Sequence, residues 1–222
     1  MMMNNLFMSF NPHSNLLSNF NWSSSSIIIM IFPHMMWTSP SRNQMMTFML
    51  LDKLKKEMFI LLKKKKNIII FMTLFVFILS NNFMGLFPHI FTSPSHITYS
   101  LSLSLSMWIS FMMYGWIKNM TYMLAHLVPE GTPMYLSPFM VIIESISNII
   151  RPKTLSIRLS ANMIAGHMLL TLIGSYIEKS QKLMFMIFMI MQTMLMILEM
   201  SVSIIQSYVF TILSLLYSTE TN

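Results

Sequence analysis

Residues 1 to 41 and 67 to 117 contain no Asp, Glu, Lys or Arg, leaving uncharged stretches of 41 and 51 residues. One bilayer crossing takes roughly 20 apolar residues, so either stretch exceeds a crossing. Only 9% of the chain is charged and 55% is hydrophobic, against about 25% charged in a soluble domain. Hydrocarbon is therefore the solvent of most of this chain, and an ordinary soluble globule is excluded. Unpaired backbone groups are costly in lipid, which leaves helices as the spanning elements. The expected fold is an all-α polytopic membrane domain over residues 1–222, with about five to six helices.

The charges that do occur punctuate the chain. A first crossing is expected over residues 16–37, interrupted by Pro33. Behind the Ser39-Pro40-Ser41 turn, residues 45–66 carry Asp52, Lys53, Lys55, Lys56, Glu57 and Lys63 to Lys66, five net positive charges. Leu50, Leu51, Leu54, Met58, Phe59 and Leu62 are interspersed, which makes this an amphipathic helix lying on an anionic leaflet, its Lys stems snorkelling. By the positive-inside rule it marks the matrix or cytoplasmic side.

Crossings are expected at 68–90 and 97–118. The Leu-Ser alternation from Leu101 to Ser106 imitates a strand, but in lipid a helix is the reading that pairs its backbone. Val128 to Pro133, with two prolines and a glycine, stops any helix. Two apolar segments of about twice a crossing's length follow, 136–177 and 182–217. They are expected to be strongly tilted or broken, and Pro152 favours a bend in the first.

A charge inside a membrane costs about 2.5 to 3.5 kcal/mol, so such groups mark function by default. The first long segment holds Glu144, Arg151, Lys153 and Arg158, with Asn162 and His167 as further polar groups; in the second, Glu199 stands alone. At about 100° per residue, Glu144, Ser147, Arg151 and Asn162 fall within about 40° of Arg158 and form one polar stripe. Ala161 and Ala165 lie beside Arg158, small side chains that let another surface approach. His167 points about 180° away. In the second segment Gln192, Ser203 and Gln206 share a stripe with Glu199. Two such helices face to face describe a lined aqueous path holding a permanent cation. His and Glu can relay protons, whereas Arg stays protonated and steers or blocks.

The run Arg158-Leu159-Ser160-Ala161-Asn162-Met163-Ile164-Ala165-Gly166-His167 resembles subunit a of the rotary F-type ATP synthase in its mitochondrial, insect-like form. The same likeness is carried, in order and spacing, by Asn81 to Pro88, Val128-Pro129 with Gly131-Thr132-Pro133, Pro138 to Glu144, Leu198-Glu199-Met200 and Ile204 to Phe210. It covers nearly the whole chain, weakly before residue 70, and departs from the pattern at Glu130 and Lys153.

The resemblance implies a stator subunit of the mitochondrial inner membrane facing a ring of c subunits, with two aqueous half-channels serving a carboxylate on each. Other membrane and peripheral-stalk subunits and the lipid bilayer would be its remaining partners, with no nucleic acid and no cofactor. It implies that Arg158 separates the half-channels, that His167 and Glu199 serve proton access, that Asn162 and Gln206 lie near the arginine, and that Glu144 is polar on the half-channel side. Arg158, Ala161 and Ala165 would face the ring.

No Gly-rich phosphate loop is present, so ATP chemistry would belong to other subunits. The absence of Cys excludes thiolate metal sites and a Cys nucleophile. The competing class is a haem- or quinone-binding respiratory subunit, which would need histidines paired from two crossings. His89, His96, His126 and His167 offer no clear pair, and the histidines other than His167 take no assigned role.

Overall fold

A computed structural model describes residues 7, 10–12, 20–26, 39–62, 68–87, 90–128, 131–177 and 182–220. Most of the expected first crossing, 16–37, and the Lys63 to Lys66 cluster lie outside these. The described residues are helical throughout, with turns between: α1 Arg42–Leu61, α2 Ile68–Gly85, α3 Ile97–Lys118, α4 Met120–His126, α5 Ser137–Ile177 and α6 Lys182–Glu220. The protein is accordingly an all-α membrane protein. Three of these helices, α2, α5 and α6 from Met184 on, are long and apolar enough to cross a membrane. The serines that recur along α3 keep it out of that set.

Helix α1 starts where its sequence caps it. Ser41 Oγ accepts from the Gln44 N–H, and the Ser41 N–H donates to Gln44 Oε1 at 2.8 Å, a reciprocal capping box. Met58 and Leu62 are buried beside Ile68, Phe71 and Leu215, with Met107 and Phe111 packed against the cluster. Tyr208 Oη donates to Glu57 Oε2 at 3.2 Å, tying α1 to α6. Leu50 and Phe59, among the apolar residues expected to lie against a leaflet, are exposed. Inward contact is carried by Met58 and Leu62, which leaves Leu50 on the lipid side.

Helix α2 buries one stripe, Ile68, Phe71, Phe75, Ile78, Asn81, Asn82 and Gly85. Its steps of three and four hold a side of the helix against α6. Helix α3 lies along α5, and α5 along α6. A second cluster joins Ile78, Leu155, Leu159 and Phe210 at the centre of the bundle.

Helix α5 runs through Pro152 without a break, although the proline withholds one backbone donor and is itself buried. It has 41 residues, about 61 Å at 1.5 Å per residue, twice a hydrocarbon thickness of about 30 Å. A helix of that length stays within the hydrocarbon only when inclined by about 60° to the normal. Helix α6, with 39 residues and Glu199 its one charge between Lys182 and Glu220, meets the same constraint.

Along α6 the buried residues include Ser203, Ser207, Thr211, Ser214 and Ser218. Each hydroxyl donates to a carbonyl of its own helix three residues back, at 2.6 to 2.9 Å. Small side chains bring the helix axes close, and their polar groups are satisfied internally.

Candidate proton path

The buried side of α5 is set by Pro152, Leu155, Ser156, Leu159, Ser160 and Met163, a stripe centred about 130° from Arg158. Arg158, Ala161, Asn162 and Ala165 are all exposed. Among the described residues Arg158 enters neither ion pair; both belong to Arg151. A permanent cation thus stands uncovered on an apolar helix, flanked by two alanines and an amide.

Helices α5 and α6 run antiparallel, and three pairs step along them in opposite directions. Nearest the α5 C-terminus, Gly166 faces Glu199. In the middle Asn162 Nδ2 donates to Gln206 Oε1 at 3.0 Å. Toward the α5 N-terminus Arg151 binds Glu220 and lies 3.5 Å from Glu144. Glu144 and Glu199 therefore lie far apart, and Glu144 is engaged by Arg151 two turns along its own helix. Arg158 lies between two polar regions, about 12 Å along the axis from Gly166 and about 10 Å from Arg151.

Glu199 occupies a slot made by the absence of a side chain. A Cβ on Gly166 would stand 2.6 Å from Glu199 Oε1 and 2.7 Å from its Cδ. Both carboxylate oxygens and His167 Nε2 are buried without a hydrogen-bond partner among the described residues. His167 and Glu199 are on neighbouring positions of the α5–α6 contact, yet no direct bond joins them. Buried groups of this kind are ordinarily satisfied through ordered water.

The polar region continues at the end of α2. Asn82 is 1% exposed and both its amide atoms lack a partner among the described residues, while the Tyr99 hydroxyl lies beside Ser93. Ser93 Oγ donates to Asn81 Oδ1 at 3.5 Å, and Thr92 Oγ1 donates to Ser95 Oγ at 3.1 Å. Gly85 backbone lies within hydrogen-bonding reach of the His167 ring, and a Cβ on Gly85 would stand 2.9 Å from Met163 Cε. Thr92, Ser93 and Ser95 are short polar residues in a loop, and the sequence carries no periodic signal that singles them out. The Asn81-Asn82 pair, two amides at the end of an otherwise apolar run, was the available clue.

Gly166→Ala is expected to leave the complex assembled, since the atom in the way is the end of a flexible side chain. The carboxylate would shift by about 1 Å, which at a reacting centre costs about ten- to a hundredfold in rate. Proton conduction by vesicles carrying the protein measures this; an unchanged rate would show that Glu199 need not occupy its slot.

The sequence matches the family model described as ATP synthase A chain over residues 19–219. It is 50% identical to ATP synthase subunit a of Drosophila melanogaster, with 100% of both chains covered. It is 48% identical to ATP synthase subunit a of Locusta migratoria over 99% of each chain, and 48% identical to that of Aedes aegypti over 100% of each.

Proposed function

Because the chain belongs to the ATP synthase A chain family, we propose that its Arg158 face is the surface past which a ring of c subunits turns. The subunit translocates protons as part of the stator of the ATP synthase membrane sector, coupling proton flow to ATP synthesis, and it works with the rest of that complex. The relatives are insect proteins of the same name, which supports the mitochondrial inner membrane as its location, multi-pass.

The observation that carries the reading is the isolation of Arg158: exposed, outside both ion pairs, with a polar region on either side of it along α5. One region is the His167, Glu199, Asn82 and Tyr99 group. The other is the Glu144, Arg151 and Glu220 cluster. We assign them to the inner ends of two half-channels. Glu199 and His167 exchange protons, the Asn162–Gln206 pair lines the passage to the ring, and the guanidinium attracts the deprotonated ring carboxylate while repelling a proton that would pass straight through.

Topology orients the two paths. The basic segment at 45–66 faces the matrix, and Leu215 packs against Met58 and Ile68 beside it. The C-terminal end of α6, with Glu220 and Arg151, then lies toward the matrix. The far end of α2, with Asn82, Gly85 and His167, lies toward the intermembrane space. Helix α3 completes the expected crossings.

The placements of the described histidines give the haem-binding alternative no support. His96 holds a backbone carbonyl of Phe10, His126 packs on Tyr122, and His167 packs on Phe10.

The native chain has no Cys, so a single cysteine reports alone. Ala165→Cys is expected to form a disulfide with a cysteine placed beside the ring carboxylate and to block rotation reversibly, as read by ATP synthesis before and after reduction. Ile142→Cys, on an exposed part of α5 away from the alanines, serves as the comparison; equal cross-linking of both would reject the Arg158 face as the ring surface.

A further inference from the structure

The N-terminal part of the chain straps the loop between α2 and α3. His96 Nε2 donates to the Phe10 carbonyl at 3.0 Å, across 86 positions. The Trp22 ring lies 5.2 Å from His96 and 5.4 Å from Phe91. Ser24 Oγ donates to the Phe91 carbonyl at 3.2 Å, and Asn21 Nδ2 donates to that of Asn11 at 3.4 Å. Residues 10–12 and 20–24 are thus fixed to the loop that precedes α3.

Phe10 faces two ways. Its carbonyl is held by His96, and its ring meets the His167 ring edge to face, with centroids 6.2 Å apart and planes at 89°. A carbonyl only accepts, so the proton of this bond is on His96 Nε2. Among the described residues His167 Nε2 is buried with no hydrogen-bond partner, and rotation about the last bond of an imidazole side chain is weakly restricted. The Phe10 ring restrains the imidazole on one side and the Gly85 backbone lies within hydrogen-bonding reach on another, leaving it open toward the Glu199 slot.

We infer that this N-terminal strap is the outer wall of the chamber holding His167 and Glu199, and that His96 is a positioning residue for proton uptake, acting through Phe10. The inference rests on the assignment of His167 and Glu199 to the intermembrane-side path. The wall closes the apolar side of the chamber, so protons arrive past Asn82 and Tyr99. Among the described residues the titratable groups in contact with Phe10 are His96, through its carbonyl, and His167, through its ring; Tyr99 on α3 and Glu199 on α6 are the further titratable groups of the chamber.

The test uses intact ATP synthase in proteoliposomes, with ATP synthesis per assembled complex followed as the pH on the uptake side is varied. His96→Ala is expected to lower the rate by about two- to tenfold, the effect of one lost hydrogen bond, and to move the midpoint of the pH profile. His96→Gln, whose amide reaches the same carbonyl, restores both. Phe10→Ala reproduces His96→Ala, and the double variant is no worse than either single.

A native rate and profile in His96→Ala and Phe10→Ala overturns the inference, as do additive losses in the double variant. Where His96→Ala does not assemble, Phe10→Ala decides alone, since it leaves the 91–96 loop intact. Arg158→Ala run in parallel separates two failures. Persistent synthesis there overturns the proton-path assignment and this inference with it, whereas lost synthesis beside a native His96→Ala overturns the strap alone.

Discussion

Arg158→Ala abolishes coupled ATP synthesis while passive proton conduction through the membrane sector persists or rises. The argument is electrostatic. Arginine is protonated at every accessible pH, so it cannot carry a proton onward. Opposite unit charges about 4 Å apart attract by about 4 kcal/mol at an effective dielectric of about 20, enough to draw a ring carboxylate out of its protonated state as it passes. The same field repels a free proton travelling along α5. With alanine at 158, the two polar regions on either side are joined by nothing that rejects a cation, and each proton that leaks forfeits about 2.3 kcal/mol per 100 mV. Arg158→Lys keeps the charge but not the planar fork, and it can lose its proton on burial; a partial loss of coupling is expected. The measurement compares ATP synthesis with dye-reported proton flux in vesicles carrying the assembled sector. Synthesis that survives Arg158→Ala unchanged would make the arginine structural.

Glu199→Gln gives the opposite signature, with synthesis and passive conduction falling together. The amide keeps the shape that fills the Gly166 slot but cannot gain and lose a proton. Removing a positioned proton-transfer group costs about 10²- to 10⁴-fold, read in the same vesicles. Glu199→Asp retains a carboxyl one methylene further back and is expected to conserve part of the flux. The pair of variants distinguishes chemistry from packing: if Glu199→Gln conducts like the native chain, the carboxylate only fills space. Loss of conduction in Glu199→Gln beside gain in Arg158→Ala is the combined result that two half-channels and a separator require.

Much of the fold was legible because charge is so scarce here. Lys118 stands at the end of a helix and Lys182 at the start of another, and an apolar run between sparse charges in lipid has few options besides helix. The stripes of α5 were legible for a related reason: Pro152 does not interrupt the helix, so the 3.6-residue period carries from Glu144 to His167. The wheel put Glu144, Arg151 and Arg158 on one stripe, but it could not say which would pair. Arg151 takes Glu144 and Glu220, leaving Arg158 outside both pairs.

What the sequence could not carry were contacts between distant segments with no shared period. The Gly166 slot exists only once α6 lies against α5. Tyr208 reaches Glu57 across 151 positions, and Phe10 reaches His96 across 86. His96 lies at the start of a helix, where solvent contact is the default expectation, and only the N-terminal strap reveals its partner. The Asn81-Asn82 pair was visible at the end of an apolar run, but nothing in the sequence said which of the two amides would be buried without a partner among the described residues.

The hydroxyls of α6 have a consequence for how the chain is made. Because Ser203, Ser207, Thr211, Ser214 and Ser218 bond to their own helix, none of them waits for a neighbour to satisfy it. The helix can leave an insertion machinery and float in lipid as a finished unit, and the same small side chains then admit α2 at close range. Membrane integration and tertiary assembly are thereby separable in time. The helix that carries Glu199 could be integrated early and docked late, when the rest of the complex arrives.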